Sequence, residues 1–230
     1  MRMKKHIPNM ITLLNLLSGS VAVIYAVQGA YFAVWMLCIL AAVFDFFDGF
    51  AARSLGAYSE IGKELDSLCD CVSFGLAPSV ALMTFYRSAG EYASILSYIP
   101  LAVVACSALR LAKFNLDTRQ AKSFLGLPTP ACGLLAVSLT ACSPAFLSTV
   151  WFIPVISAVL AFLLVSEIPM FSMKSFSPKH RWFIFGSIAI CCLIPIFYGT
   201  SVWWMKLPTV MAGIFTYYII LNLIPVKNEK

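Results

Sequence analysis

Apolar stretches of about twenty residues follow one another along this chain with only short polar breaks. Each is long enough to cross a hydrocarbon core of about 30 Å as a helix. In lipid a helix satisfies its own backbone polar groups, so short loops between such stretches imply a compact helical bundle. The expected spans are 10–28, 32–53, 60–86, 94–115, 128–146, 149–167, 181–199 and 205–225. The chain is 61% hydrophobic and 11% charged. A soluble domain carries roughly 25% charged residues, so a soluble core of this size would have too little polar surface. The expectation is an all-α integral membrane protein, a polytopic bundle of about eight transmembrane helices. Residues 1–230 form a single membrane domain, with no linker or internal repeat. Arg2, Lys4 and Lys5 precede the first apolar run as in a signal peptide, but no convincing cleavage site follows, so the run reads as a retained span.

The formal charge of +6 does not point to nucleic acid, because the basic residues sit between spans rather than on one face. Fourteen lysines and arginines fall at the N-terminus, at the C-terminus and in alternate loops; Arg87 and Lys206 fall opposite. By the positive-inside rule both termini are expected on the cytoplasmic side, and the expected location is the cell's inner, cytoplasmic membrane. The eight cysteines lie in or beside apolar runs without zinc-ligand spacing, and read as small buried hydrophobes. His6 and His180 read as solvated residues beside the membrane, Trp203 and Trp204 as an outer aromatic belt, and Glu167 as an interfacial carboxylate.

Against this apolar background four aspartates cluster. Asp45 and Asp48 stand three apart near the cytoplasmic end of span two, and Asp66 and Asp70 four apart near the start of span three. Such spacings share a helix face. A short loop around Ser54–Ser59 makes the two helices antiparallel neighbours, so the carboxylates converge near the cytoplasmic face. Four like charges there repel unless cations intervene, and carboxylates at membrane depth are rarely idle. Oxygen-only ligands favour Mg²⁺ or Mn²⁺ over zinc. Two such ions about 3.5–4 Å apart suit phosphoryl-type transfer. Gly49 and Gly62 allow close approach of a nucleotide or a helix, and Arg53 offers a planar fork of donors to phosphate. A purely structural polar patch would be closer to charge balance: Glu60 and Glu64 add to the aspartates, against Arg53 and Lys63.

The pattern D-x2-D-G-x2-A-R-x8-G-x3-D-x3-D over residues 45–70 resembles the signature of the CDP-alcohol phosphotransferases, integral membrane enzymes that displace CMP from a CDP-linked lipid with an alcohol. The resemblance covers roughly residues 7–130; beyond them only hydropathy matches. It implies that Asp45, Asp48, Asp66 and Asp70 hold two divalent cations and that Asp70 is also the general base. It implies further that Gly49, Ala52 and Arg53 lie along the CDP moiety and that Ser59 reaches a phosphate oxygen. Within Pro8–Thr12, Asn9 and Thr12 would contact the nucleotide; the plainer reading of Asn9 is a helix cap. The family also implies a homodimer and a direct displacement without a covalent enzyme intermediate.

Three flanking stretches, Leu65–Pro78, Ala108–Asn115 and Phe124–Pro130, are similar to the bacterial and archaeal phosphatidylserine synthases of this family. The implied reaction takes CDP-diacylglycerol and L-serine to phosphatidylserine and CMP, with membrane lipids as surroundings. Arg110 is the candidate for the serine carboxylate or the lipid-linked phosphate, with Lys113 and Asn115 beside it. The competing reading makes Arg110 and Lys113 headgroup anchors. Ser67 and Ser73 either line the pocket or bond neighbouring helices. Ser73-Phe74-Gly75 with Pro78 suggests an irregular turn, whose freed carbonyl could accept the serine ammonium. Two other functions remain open: a family member using glycerol 3-phosphate or inositol phosphate, and a cation transporter with an aspartate-lined site.

Overall fold

The computed structural model describes residues 6–88, 90, 95–116, 124–142, 151–170, 187 and 206–223. The expected span 181–199 (Ser187 apart), the Trp203–Trp204 belt, His180 and the cations at both termini lie outside these residues, as do Arg119, Lys122, Lys174, Lys179 and Arg181.

Helix α1 (His6–Val27) turns at Gly29, whose φ of +76° suits glycine, into α2 (Tyr31–Leu55). Gly56, at φ +58°, ends α2 in the left-handed conformation and donates its N–H back to Ala52 and Arg53 carbonyls. Then come α3 (Glu60–Asp70), one π-helical segment (Cys71–Leu76) and α4 (Ala77–Ser88), forming one continuous helix. A 3₁₀ turn (Ile95–Tyr98) leads into α5 (Leu101–Leu116). Shorter apolar helices follow: α6 (Thr129–Cys142), α7 (Phe152–Val165) and α8 (Leu207–Leu223).

Among the described residues four helical stretches are long and apolar enough to cross a membrane: 6–27, 31–55, 60–88 and 95–116. They match the first four expected spans, and α6, α7 and α8 fall on the fifth, sixth and eighth. A two-residue antiparallel ladder, β1 (Phe124–Leu125) against β2 (Pro169–Met170), was not expected from hydropathy. Across it, Gly126 at φ +75° brings its backbone against the C-terminus of α7, where an added Cβ would lie 2.7 Å from the Ser166 carbonyl oxygen.

The stretch 60–88 is the most buried of the four and forms the axis of the bundle. Its π-helical segment packs closely on three neighbours, two of them at backbone distance. A Cβ at Gly19 of α1 would lie 2.6 Å from Ser73 Cα, and one at Gly133 of α6 would lie 2.6 Å from the Phe74 oxygen. Gly75 in turn packs on Ser107 of α5. Pro78 has no N–H to return to the wide turn. The Cys38 thiol donates to the Ser73 carbonyl at 3.6 Å. Two apolar cores flank this axis: one joins α1, α2, α4 and α6 around Trp35 and Phe74, the other joins α4 to α8 around Leu82, Leu127 and Leu160.

Candidate active site

The end of α2 and the start of α3 meet the N-terminal turns of α1. Asp45 and Asp48 descend one face of α2, and Asp66 faces them from α3. Oxygens of these three carboxylates all lie within 4.8 Å of one another. Asp48 is only 6% exposed, while Asp45 and Asp66 are half-buried. Asp48 Oδ2 and Asp66 Oδ1 are buried and make no hydrogen bond. Orphan acceptors of this kind cost roughly 1–3 kcal/mol each unless a ligand satisfies them. Converging orphan carboxylate oxygens fit a hard divalent cation by donor type.

Asp70 stands outside that group of three. It closes α3, is 7% exposed, and its Oδ1 accepts a hydrogen bond of 3.1 Å from Asn15 Nδ2 of α1. Asn15 is wholly buried, and the Ser73 hydroxyl donates to its backbone carbonyl at 3.0 Å. Sequence reading missed Asn15. The signal it offered was a lone amide in the middle of an apolar span, where polar side chains bond to neighbouring helices.

Beside the carboxylates lies an open cavity of about 510 Å³, lined by residues of all three elements, among them Asn9, Thr12, Asp48, Gly49, Ser59 and Asp66. Ala52 also lines it, so five residues expected along a nucleotide share one wall system. Asn9 does not cap α1, because the helix already runs from His6. It stands instead against α3, where a Cβ on Gly62 would come within 3.0 Å of Asn9 Oδ1. Thr12 donates to the Pro8 carbonyl at 3.0 Å. Ser59 caps α3, accepting from the Gly62 N–H at 3.0 Å, which leaves its own hydroxyl proton for another acceptor. Arg53 is exposed and runs back along α2, with Nη1 3.6 Å from where a Cβ on Gly49 would be.

The three residues expected at the acceptor alcohol are treated differently. Arg110 is 7% exposed; Nη1 donates to Thr129 Oγ1 at 3.0 Å, and its Nε is buried without a partner. That burial does not suit a headgroup anchor. Lys113 is exposed. Asn115 ties α5 to α3, donating to Ser67 Oγ at 2.9 Å and Glu64 Oε2 at 3.3 Å. Lys63 Nζ adds a bond to the Asn115 carbonyl at 3.0 Å. Glu167 and His6 are exposed.

The family model described as CDP-alcohol phosphatidyltransferase matches residues 5–165. A CDP-diacylglycerol–serine O-phosphatidyltransferase of Mycobacterium leprae is 37% identical over 198 residues, 78% of this chain and 63% of that protein. An archaetidylserine synthase of Methanothermobacter thermautotrophicus is 35% identical over 130 residues, 56% of this chain and 54% of that protein. The chain thus spans less than two thirds of the length of both relatives. A CDP-diacylglycerol–serine O-phosphatidyltransferase of Bacillus subtilis is 31% identical over 185 residues, 77% of this chain and 98% of that protein.

Proposed function

The chain belongs to the CDP-alcohol phosphatidyltransferase family, and from that premise we propose that it transfers the phosphatidyl group of CDP-diacylglycerol to the hydroxyl of L-serine, releasing CMP. The observation that carries this reading is the gathering of Asp45, Asp48 and Asp66 within 4.8 Å beside a cavity lined by Asn9, Thr12, Gly49, Ala52 and Ser59. Serine as the acceptor is supported by the names of the similar proteins and by buried Arg110, a fixed cation suited to a carboxylate.

In this reading Asn9, Thr12, Gly49, Ala52, Arg53 and Ser59 hold the CDP moiety. Asp45, Asp48, Asp66 and Asp70 would hold two divalent cations, Mg²⁺ or Mn²⁺. Bound there, the metal supplies charge neutralisation at the pyrophosphate and at departing CMP. Asp70, with Oδ1 held by Asn15, takes the serine hydroxyl proton on Oδ2. The serine oxygen forms its bond to the phosphorus that carries diacylglycerol. The bond from that phosphorus to the bridging oxygen breaks, and the electron pair leaves with CMP. Arg110 takes the serine carboxylate or the lipid-linked phosphate, with Lys113 and Asn115 at the margin. The fuller topology belongs to the same reading: about eight spans, both termini and the site on the cytoplasmic side of the membrane, and a homodimer.

The test is CMP release by purified protein given CDP-diacylglycerol and Mg²⁺ or Mn²⁺, with L-serine, glycerol 3-phosphate or inositol phosphate supplied in turn, and Asp70→Asn as control. Release with serine alone, lost in the control, is the expected result. Release with another alcohol keeps the family and discards serine; no release from folded protein discards the enzyme.

A further inference from the structure

We infer that Asn15 is the positioning residue of the base, fixing the Asp70 carboxylate through a clasp between α1 and the junction of α3 with the π-helical segment. The inference rests on the reading of Asp70 as the base.

The clasp has two rungs. On α1, Asn15 and Gly19 stand one turn apart and face Asp70 and Ser73 across the helix interface. The first rung is the bond from Asn15 Nδ2 to Asp70 Oδ1 at 3.1 Å. The second is the bond from Ser73 Oγ to the Asn15 carbonyl at 3.0 Å. Gly19 allows both, because a side chain there would run into the Ser73 backbone. The amide orientation follows from charge: turned over, Oδ1 would face the carboxylate.

Asn15 is an expensive residue for this place. It is wholly buried, and its Oδ1 has no partner. An orphaned buried acceptor costs roughly 1–3 kcal/mol. A leucine of similar size would fill an apolar helix interface without that cost. The amide therefore contributes through what its other end does, and its other end holds Asp70. A carboxylate whose Oδ1 is pinned presents Oδ2 in one direction. Proton transfer is sensitive to such alignment: a misplacement of about 1 Å can cost about 10²-fold in rate. The π-helical turn begins at Cys71, directly after Asp70. The widened turn lets Ser73 reach α1 while Asp70 still faces Asn15.

The experiment uses the full chain in the CMP-release assay with L-serine, after the wild type and Asp70→Asn have been compared. Asn15→Leu is expected to lower kcat about 10²-fold, with KM for serine and for CDP-diacylglycerol each within about threefold of wild type. The solvent deuterium isotope effect on kcat should rise, because proton transfer becomes more limiting; a merely structural defect would lower the active fraction and leave that ratio unchanged. Should the leucine variant fail to elute as a single species, Asn15→Ala carries the same expectation. Normal kcat in the variant overturns the inference. So does a raised serine KM at unchanged kcat, a lost rate with an unchanged isotope effect, or a lost rate recovered by added Mg²⁺ or Mn²⁺. Full activity in Asp70→Asn overturns both the inference and the reading beneath it; a dead Asp70→Asn beside a normal Asn15→Leu overturns the inference alone.

Discussion

At its α4 end, the long helix 60–88 spends its hydroxyls on backbone carbonyls. Ser79 donates to the Gly75 carbonyl at 2.7 Å, Ser88 to that of Phe85 at 2.7 Å, and Thr84 to those of Val80 and Ala26. The same habit extends into α7 and α8, where Ser157 donates to the Ile153 carbonyl at 2.6 Å and Asn222 to that of Tyr218 at 2.8 Å. At the α3 end, buried Asp48 Oδ2, Asp66 Oδ1 and Asn15 Oδ1 have no partner. Among the described residues, Tyr86 Oη and, on α5, Ser107 Oγ are exceptions to this habit. In an apolar bundle, polar atoms that serve only folding find protein partners, most often a carbonyl of their own helix. The unpartnered carboxylate oxygens fit the divalent cation proposed above.

The strongest way to break this contrast is Asp70→Asn. It should lower CMP release about 10³-fold while leaving the thermal unfolding midpoint in detergent near that of wild type; a variant that loses stability and activity together would make Asp70 a folding residue. Next is Arg110→Ala, at the border of the two regions. Its expected signature is a rise of about tenfold or more in serine KM, with CDP-diacylglycerol dependence unchanged. Unchanged serine dependence would remove Arg110 from the acceptor site. Gly133→Val tests the apolar side, since the added side chain must displace the Phe74 backbone. It should cost about 1–3 kcal/mol of stability, read as a lower unfolding midpoint, with normal KM values in the protein that remains folded. The smallest effect belongs to Ser157→Ala: a loss of about 1 kcal/mol or less and unaltered kinetics, because its hydroxyl is bonded within its own turn. A large kinetic defect there would show that satisfied polar atoms also serve the reaction, and the comparison would fail.

Much of the site was legible because its spacing is local. Asp45 and Asp48, and Asp66 and Asp70, share faces by helix geometry alone, and the short loop at Gly56–Ser59 turns those faces together. Asn9 was read as a nucleotide contact with a helix cap as the alternative, and only the structure removes the cap, since nothing local shows that α1 already runs from His6. That Asn115 also ties α5 to α3 was not legible, because its partners lie some fifty positions away. The irregular turn before Pro78 was expected, but not the π-helical form it takes or the Cys38 thiol that meets its Ser73 carbonyl.

The sequence by itself determined a membrane-spanning helical chain and an acidic cluster, because helix pitch and the hydrocarbon core act on neighbours along the chain. Only the tertiary structure decided that Asn15 holds Asp70 and that Arg110 is buried against Thr129. Those contacts join residues on different helices. Their register depends on where small residues such as Gly19 and Gly133 let backbones touch, and no periodicity within one helix encodes that.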